Sequence, residues 1–375
     1  MESAGHRIVV VKIGSSTVVD GSGAVKRGYL SALARQLSSV RDLGWSPIVV
    51  SSGAIACGYP LMGLHEKPHD IPGLQAAASV GQGTLARAYS EVFGEAGMLS
   101  SLVLLTRHDT SRRSAYLHAR DALLRLVDYG VVPIVNENDT TSVEEIRFGD
   151  NDTLSAVVAC LVKADLCVNF SDVDGLFTAD PSTHDDAVRL PVVHRVTEEV
   201  MHAAQGSSSK MGTGGMATKI KAARVLMVAG IPMVVCNGSD PGVLVRIVAG
   251  GQAGTRFEAA AKPHEITNYK LWIALGDTPR GSLIVDDGAR DALVSGGKSL
   301  LCVGVVKAAG PFEAGDIVNI KNQQGHIFAR GKVNASHDEV ELARGYSTKE
   351  MAANRLLAPM AVHPLVHRDE LVVFE

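Results

Sequence analysis

No run of 18 consecutive apolar residues occurs anywhere in this chain, so the sequence has no candidate transmembrane helix. The first residues lack an apolar signal core: Met1 to Arg7 carry Glu2 and His6 and lead directly into a β-rich run, which predicts a cytoplasmic protein. Charge of one sign is missing too. The 36 Lys and Arg against 40 Asp and Glu leave a formal net charge of -4, so no bulk positive field favours nucleic acid or anionic membrane. Cysteine is sparse. Cys57, Cys160, Cys167, Cys236 and Cys302 form no C-x-x-C pair and lie mostly in apolar stretches, which predicts buried reduced thiols and excludes a disulfide framework. There is no internal repeat and no low-complexity tract.

Three familiar signatures are present only in broken form. His65-Glu66-Lys67-Pro68-His69 matches H-E-x-x-H, but that zinc chemistry needs both histidines on one helical face, and Pro68 with its neighbours Pro60, Gly63, Pro72 and Gly73 opposes a helix. Gly212 to Ala217 matches G-x-G-x-x-A, yet Gly206-Ser207-Ser208-Ser209 stands where a strand is required. Gly297-Lys298-Ser299 has the tail of a Walker A loop, with Ala292 in the place of its first glycine.

What is present is a rhythm. Up to about Gly250, short Val- and Ile-rich runs alternate with longer amphipathic stretches, the pattern of repeated βαβ units. Strands are expected at Arg7 to Ile13, Pro47 to Ser51, Ser101 to Thr106, Val131 to Asn136, Asp165 to Ser171 and Ile231 to Cys236. Helices are expected at Tyr29 to Leu43, Leu74 to Phe93, Ala115 to Asp128, Thr153 to Val162 and Thr218 to Ala229. Right-handed crossovers then give an α/β fold, a mostly parallel sheet sandwiched between helical layers. After Gly250-Gly251-Gln252-Ala253-Gly254 the texture changes to short strand-like runs at Gly281 to Asp286, Ser299 to Val306, Ile317 to Ile320 and His326 to Arg330, which read as a small β-barrel-like unit. The expected division is residues 1–255, a linker 256–278, and 279–375.

The chemistry-bearing residues gather at the carboxyl ends of the expected strands, where open α/β sheets bind ligands. Lys12 with the turn Gly14-Ser15-Ser16 supplies a point charge, close backbone approach and hydroxyl donors for phosphoryl oxygens. Ser51-Ser52-Gly53-Ala54 adds a second donor-rich loop at the same edge. Asn136-Glu137-Asn138-Asp139 and Gly149-Asp150-Asn151-Asp152-Thr153 form a cluster of carboxylates and amides suited to an ammonium group or a cation, or alternatively to simple helix N-capping. Ser171-Asp172-Val173-Asp174-Gly175 follows the fifth strand, and Gly212 to Lys219 runs a glycine-rich loop into a helix start whose N–H groups, with Lys219, suit phosphate.

The strings VVVKIGSS, VSSGAIA, VVPIVNEND, FGDNDTLSA, SDVDGLFTADP and GTGGMATK, in this order, resemble the glutamate 5-kinases of the amino acid kinase superfamily. The second unit, through Val303-Gly304-Val305, Phe312 to Asp316 and Ala329-Arg330-Gly331, resembles a PUA domain, so the two resemblances span nearly the whole chain. Ser171 stands where many members of that family carry Thr, and Ser208 to Met211 depart from the commoner pattern. The resemblance implies the amino acid kinase fold and ATP-dependent phosphorylation of the side-chain carboxylate of L-glutamate, the first step of proline biosynthesis, with Mg²⁺.

By the same resemblance Lys12 and Lys219 flank the transferring phosphoryl group and Asp152 orients them. Ser52, Asp139 and Asn151 match glutamate-binding positions; Gly14, Ser171, Asp172, Thr213, Gly214, Gly215, Met216, Ala217 and Thr218, with the two lysines, match ATP-binding ones. Feedback inhibition by L-proline and assembly as a dimer or tetramer are implied likewise. Two rival readings stay open: a kinase of aspartate, acetylglutamate or carbamate, and an RNA-binding protein working through its second unit. Against the latter, residues 265–375 hold 12 basic and 14 acidic side chains, a balance of 12 minus 14 or -2 where RNA binders are basic.

Overall fold

The structure, a computed structural model, describes residues 6–106, 113–141, 151–181, 183–205, 215–260, 268–275 and 279–374. Backbone contacts divide the chain into two units, Met1–Glu265 and Ile266–Glu375.

In chain order the first unit contains β1 (Arg7–Ile13), α1 (Ser15–Val18), α2 (Arg27–Asp42), β2 (Trp45–Ser51), α3 (Ala54–Leu61), α4 (Ile71–Glu95), β3 (Ser100–Leu105), α5 (Arg113–Asp128), β4 (Val132–Glu137), α6 (Asn151–Leu161) and β5 (Leu166–Ser171). It continues with β6 (Val192–Val193), α7 (Glu198–Gln205), α8 (Met216–Val228), β7 (Met233–Asn237), α9 (Val243–Val248) and β8 (Thr255–Phe257). The eight strands form one sheet in the order β3-β4-β2-β1-β5-β7-β8-β6. Every pairing is parallel except β7 with β8. The six long expected strands and five expected helices are all present within a few residues. The short β6 and β8, too brief to show a period, were not legible.

Side-chain alternation along the strands decides what faces each helical layer. Val9, Val11 and Ile13 of β1, with Leu166, Val168 and Phe170 of β5, join one core cluster with Leu30, Leu33 and Leu37 of α2 and Leu85, Tyr89 and Phe93 of α4. The residues between them therefore point the other way. Lys12 and Asn169 are register partners across β1 and β5, and both fall on the face opposite that cluster.

The Ser51 to Ala54 segment departs from expectation, because what reads as a loop runs straight into α3. Gly53 makes this possible. Its φ of 114° is left-handed, and a Cβ there would stand 2.9 Å from Val19 Cγ2. α3 then crosses α4 at very short range: a Cβ on Gly81 would meet the Ala54 carbonyl oxygen at 1.8 Å, and one on Gly58 would meet that of Ala77 at 1.7 Å.

The second unit contains α10 (Asn268–Leu275), β9 (Gly281–Val285), α11 (Asp287–Val294), β10 (Val305–Ala309), β11 (Ile317–Lys321), β12 (Ile327–Lys332), α12 (His337–Ala343), α13 (Thr348–Ala353) and β13 (Leu371–Val373). Its five strands form an open mixed sheet ordered β10-β9-β11-β12-β13 around a separate apolar core centred on Leu283, Phe312, Ile320 and Phe328. One expectation is corrected here. Ser299 to Val306 is not a continuous strand, because Cys302–Gly304 forms a 3₁₀ turn and β10 begins only at Val305. Both α12 and α13 start with capping boxes, Ser336 with Glu339 and Ser347 with Glu350, a helix signal that the short apolar runs obscured.

The H-E-x-x-H match stays broken. Residues 62–70 are not helical, so His65 and His69 share no helix face. Burial raises the thiols of Cys57 to about 11 and of Cys160, Cys167 and Cys236 to about 12, as expected for unreactive core cysteines.

Candidate active site

The site is built where β1, β2, β4 and β5 end and α6 and α8 begin. Asp152, in the first turn of α6, is 0% exposed, and Lys12 and Lys219 are each 5% exposed. Lys12 Nζ lies 2.5 Å from Asp152 Oδ1, and Lys219 Nζ lies 3.1 Å from Oδ2. Two neutral donors join them on the carboxylate. Asn169 Nδ2 donates to Oδ1 at 2.7 Å, and the Thr218 hydroxyl approaches Oδ2 at 2.7 Å while also lying 2.7 Å from the Gly215 carbonyl oxygen.

The three elements deliver these groups for different reasons. Lys12 comes from a strand whose neighbours Val11 and Ile13 are buried against α2 and α4, so alternation sends it to the opposite face. Asp152 sits at a helix start, where the positive end of the helix dipole favours a carboxylate. Thr218 and Lys219 occupy the first turn of α8, whose N-cap Gly215 is extended.

Burial by itself would push the Asp152 carboxyl up. The charges of Lys12 and Lys219, with the hydrogen bonds from Lys12 and Asn169, outweigh it and hold the group far below the usual carboxylate range. Two cations on one anion leave a formal charge of +1 in a nearly dry cluster. Buried charge of that kind is costly unless a further anion is brought to it.

Beside this cluster lies an amide network. Asn151 Nδ2 is 2.6 Å from the Ser51 carbonyl oxygen, 2.7 Å from Ser52 Oγ and 3.0 Å from Asn136 Oδ1. Asn136 in turn donates to Gln82 Oε1 of α4 at 2.7 Å, and the Ser51 hydroxyl pairs with the Tyr89 hydroxyl at 2.8 Å. Consecutive residues of one helix start thus serve two neighbouring polar sites: Asn151 the amide network and Asp152 the lysines.

Of the residues expected from sequence, Lys12, Asp152, Thr218 and Lys219 converge directly, and Ser52 and Asn151 are bonded to one another next to them. Asp139 is half-buried in the turn 139–141 just past β4. Gly14 ends β1 as the N-cap of α1, and Ser171 Oγ donates to Asp172 Oδ1 at 3.1 Å where β5 ends. Gly215, Met216 and Ala217 form the entry to α8. Thr213 and Gly214, like Gly149 and Asp150, lie outside the described residues.

Sequence reasoning did not single out Asn169, Gln82 or Tyr89. For Asn169 a signal existed, since it is the polar residue inside the apolar run Leu166 to Phe170, as Lys12 is inside Val9 to Ile13. Gln82 and Tyr89 carried none, because their partners are more than thirty residues away and only the packing of α4 brings them close.

The profile of the amino acid kinase family matches residues 7–237, and that of the PUA domain matches residues 281–353. The glutamate 5-kinase of Caldanaerobacter subterraneus subsp. tengcongensis is 43% identical over 367 residues, covering 98% of each chain. That of Carboxydothermus hydrogenoformans is 44% identical over 370 residues, again 98% of each chain. The glutamate 5-kinase of Geobacter sulfurreducens is 41% identical over 365 residues, 97% of each chain.

Proposed function

This chain belongs to the amino acid kinase family, on its glutamate 5-kinase branch and with a PUA domain in its second unit, and from that membership and the lysine pair on Asp152 we propose how it phosphorylates the side-chain carboxylate of L-glutamate with ATP. The observation that carries the mechanism is the buried pair of cations, Lys12 and Lys219 gripping the two oxygens of one carboxylate.

A glutamate side chain has a reference pKa of about 4.3, so it is ionised at neutral pH and needs no general base. The obstacle is repulsion between that anion and the ATP phosphates. A carboxylate oxygen forms a bond to the γ-phosphorus, the bond from phosphorus to the β,γ-bridging oxygen breaks, and the electron pair leaves with ADP; the product is an acyl phosphate. Lys12 and Lys219 neutralise charge on the transferring group, and Asp152 keeps both ammonium groups aimed. Asn151 and Ser52 face the substrate carboxylates, and Asp139 pairs with the α-ammonium. Gly14, Ser171, Asp172 and the 213–219 segment bind the nucleotide.

Mg²⁺ is assigned to the nucleotide as part of the substrate. Among the described residues no three His, Cys, Asp or Glu side chains cluster as a metal site; bound with ATP, Mg²⁺ would neutralise phosphate charge. Among the described residues, too, no helix is long and apolar enough to cross a membrane.

The test is ATP turnover with Mg²⁺ and hydroxylamine, which traps an acyl phosphate as hydroxamate, offering glutamate, aspartate, acetylglutamate and carbamate in turn. Hydroxamate with glutamate is expected; signal only with another acceptor would overturn the substrate. The same assay with added L-proline tests feedback inhibition, and light scattering tests assembly as a dimer or tetramer.

A further inference from the structure

Asn169 is wholly buried in β5, directly across the parallel register from Lys12. Its Nδ2 donates to Asp152 Oδ1 at 2.7 Å, while its own Oδ1 is buried without a hydrogen-bond partner among the described residues. The amide orientation follows from its neighbour, because an ionised carboxylate only accepts and the group facing it must carry hydrogens.

For folding alone this is a poor residue at this place. An unpartnered buried acceptor is destabilising, and leucine has the same branched shape with no acceptor to satisfy. The bond to Asp152 is what Asn169 adds that leucine lacks.

That bond differs from the other three on the carboxylate. Lys12 and Lys219 are flexible cations that an incoming phosphoryl group attracts. The single hydroxyl proton of Thr218 is shared between Asp152 Oδ2 and the Gly215 carbonyl oxygen. Asn169 offers Asp152 a neutral donor that is fixed in the sheet, with Nδ2 2.7 Å from Oδ1.

We propose that Asn169 is a positioning residue for phosphoryl transfer, holding the Asp152 carboxylate in orientation while Lys12 and Lys219 turn toward the reacting anions. This rests on the kinase reading given above. Asn169 itself touches neither substrate; it acts through Asp152.

The experiment compares wild type, Asn169→Leu and Asn169→Asp in the hydroxamate assay, with thermal unfolding of each. The leucine variant removes the donor and the unsatisfied acceptor together, and the aspartate variant keeps the shape but sets a second carboxyl against Asp152, where the two must share a proton. Expected for Asn169→Leu is a kcat lower by roughly 10- to 100-fold, with KM for glutamate and for ATP within about threefold, and a Tm not below wild type. For Asn169→Asp a kcat loss at least as large is expected. Full kcat in the leucine variant would overturn the proposal, as would a loss confined to KM. A wild-type chain without glutamate-dependent hydroxamate would overturn the reaction and this inference with it, whereas an active wild type with an equally active leucine variant overturns only the role of Asn169.

Discussion

Lys12 and Asp152, 140 positions apart in the chain, meet at 2.5 Å with almost no exposure to solvent, and Lys219 closes on the other oxygen of the same carboxylate. The three side chains are one electrostatic unit with a formal charge of +1. Removing different members of it has different consequences.

Asp152→Asn removes the anion and leaves two ammonium groups facing each other in a dry site. Breaking a buried ion pair in this way costs about 3–5 kcal/mol. We expect a clearly lowered Tm by calorimetry and, because ATP brings the missing negative charge, a larger upward Tm shift on adding ATP than wild type shows. An unchanged Tm would mean that the lysines are solvated without Asp152.

The Asp152 carboxyl also fixes a pH window. Its folded-state pKa lies below the unfolded value of about 3.9, so its stabilising contribution is fully present above that value and is lost as pH falls toward the folded pKa. The wild-type Tm should therefore lose this contribution only below about pH 4, and a loss of it already between pH 5 and pH 6 would contradict the depressed pKa.

Lys12→Ala and Lys219→Ala should act on the chemical step. Each removes a donor aimed at developing charge, an interaction that in other enzymes is worth about 10²–10³ in kcat. Steady-state kinetics should show kcat falling by that order with glutamate KM nearly unchanged; intact kcat with weakened ATP affinity would reassign the lysine to ground-state binding.

Asn151→Ala disconnects Ser51, Ser52 and Asn136 at once. Its effect should fall on the acceptor, with glutamate KM raised by roughly tenfold or more and ATP KM little changed. Asp139→Ala should likewise raise glutamate KM, since a buried ammonium loses its partner. If ATP KM rose instead in either variant, the two halves of the site would have to be exchanged.

Gly81→Ala probes the helix crossing that carries Ser52. Its new Cβ would fall 1.8 Å from the Ala54 carbonyl oxygen, so α3 and α4 must separate. Overpacking of this kind costs about 1–3 kcal/mol. A lower Tm together with a raised glutamate KM is expected, because α3 begins immediately after Gly53; a lower Tm with normal KM would uncouple the crossing from the site.

How far the chain could be read from its residues varies along it. The long parallel strands and their helices follow from apolar runs and helical spacing, which are local. Lys12 stood out as a charged residue inside an apolar strand, whereas Asp152 was read from its residues only as part of a cluster suited to a cation or to helix N-capping, and its link to the lysines came from the family resemblance. The second unit was read less well: its capped helices are short, and a 3₁₀ turn at Cys302–Gly304 interrupts what looks like one strand. Helix α3 was missed because the left-handed Gly53 and an internal Pro60 resemble loop chemistry.

By itself the sequence determined the family, the βαβ framework and the net charge of -4, and through the family resemblance it pointed to both lysines and their carboxylate, since composition, periodicity and motif order are properties of the linear chain. Tertiary structure alone decided which oxygen of Asp152 each lysine takes, that Asn169 shares Oδ1 with Lys12, and that Gln82 and Asn136 extend the network from Asn151. Those relations depend on strand register and on two helices crossing at glycine, geometry set by packing between segments far apart in the chain.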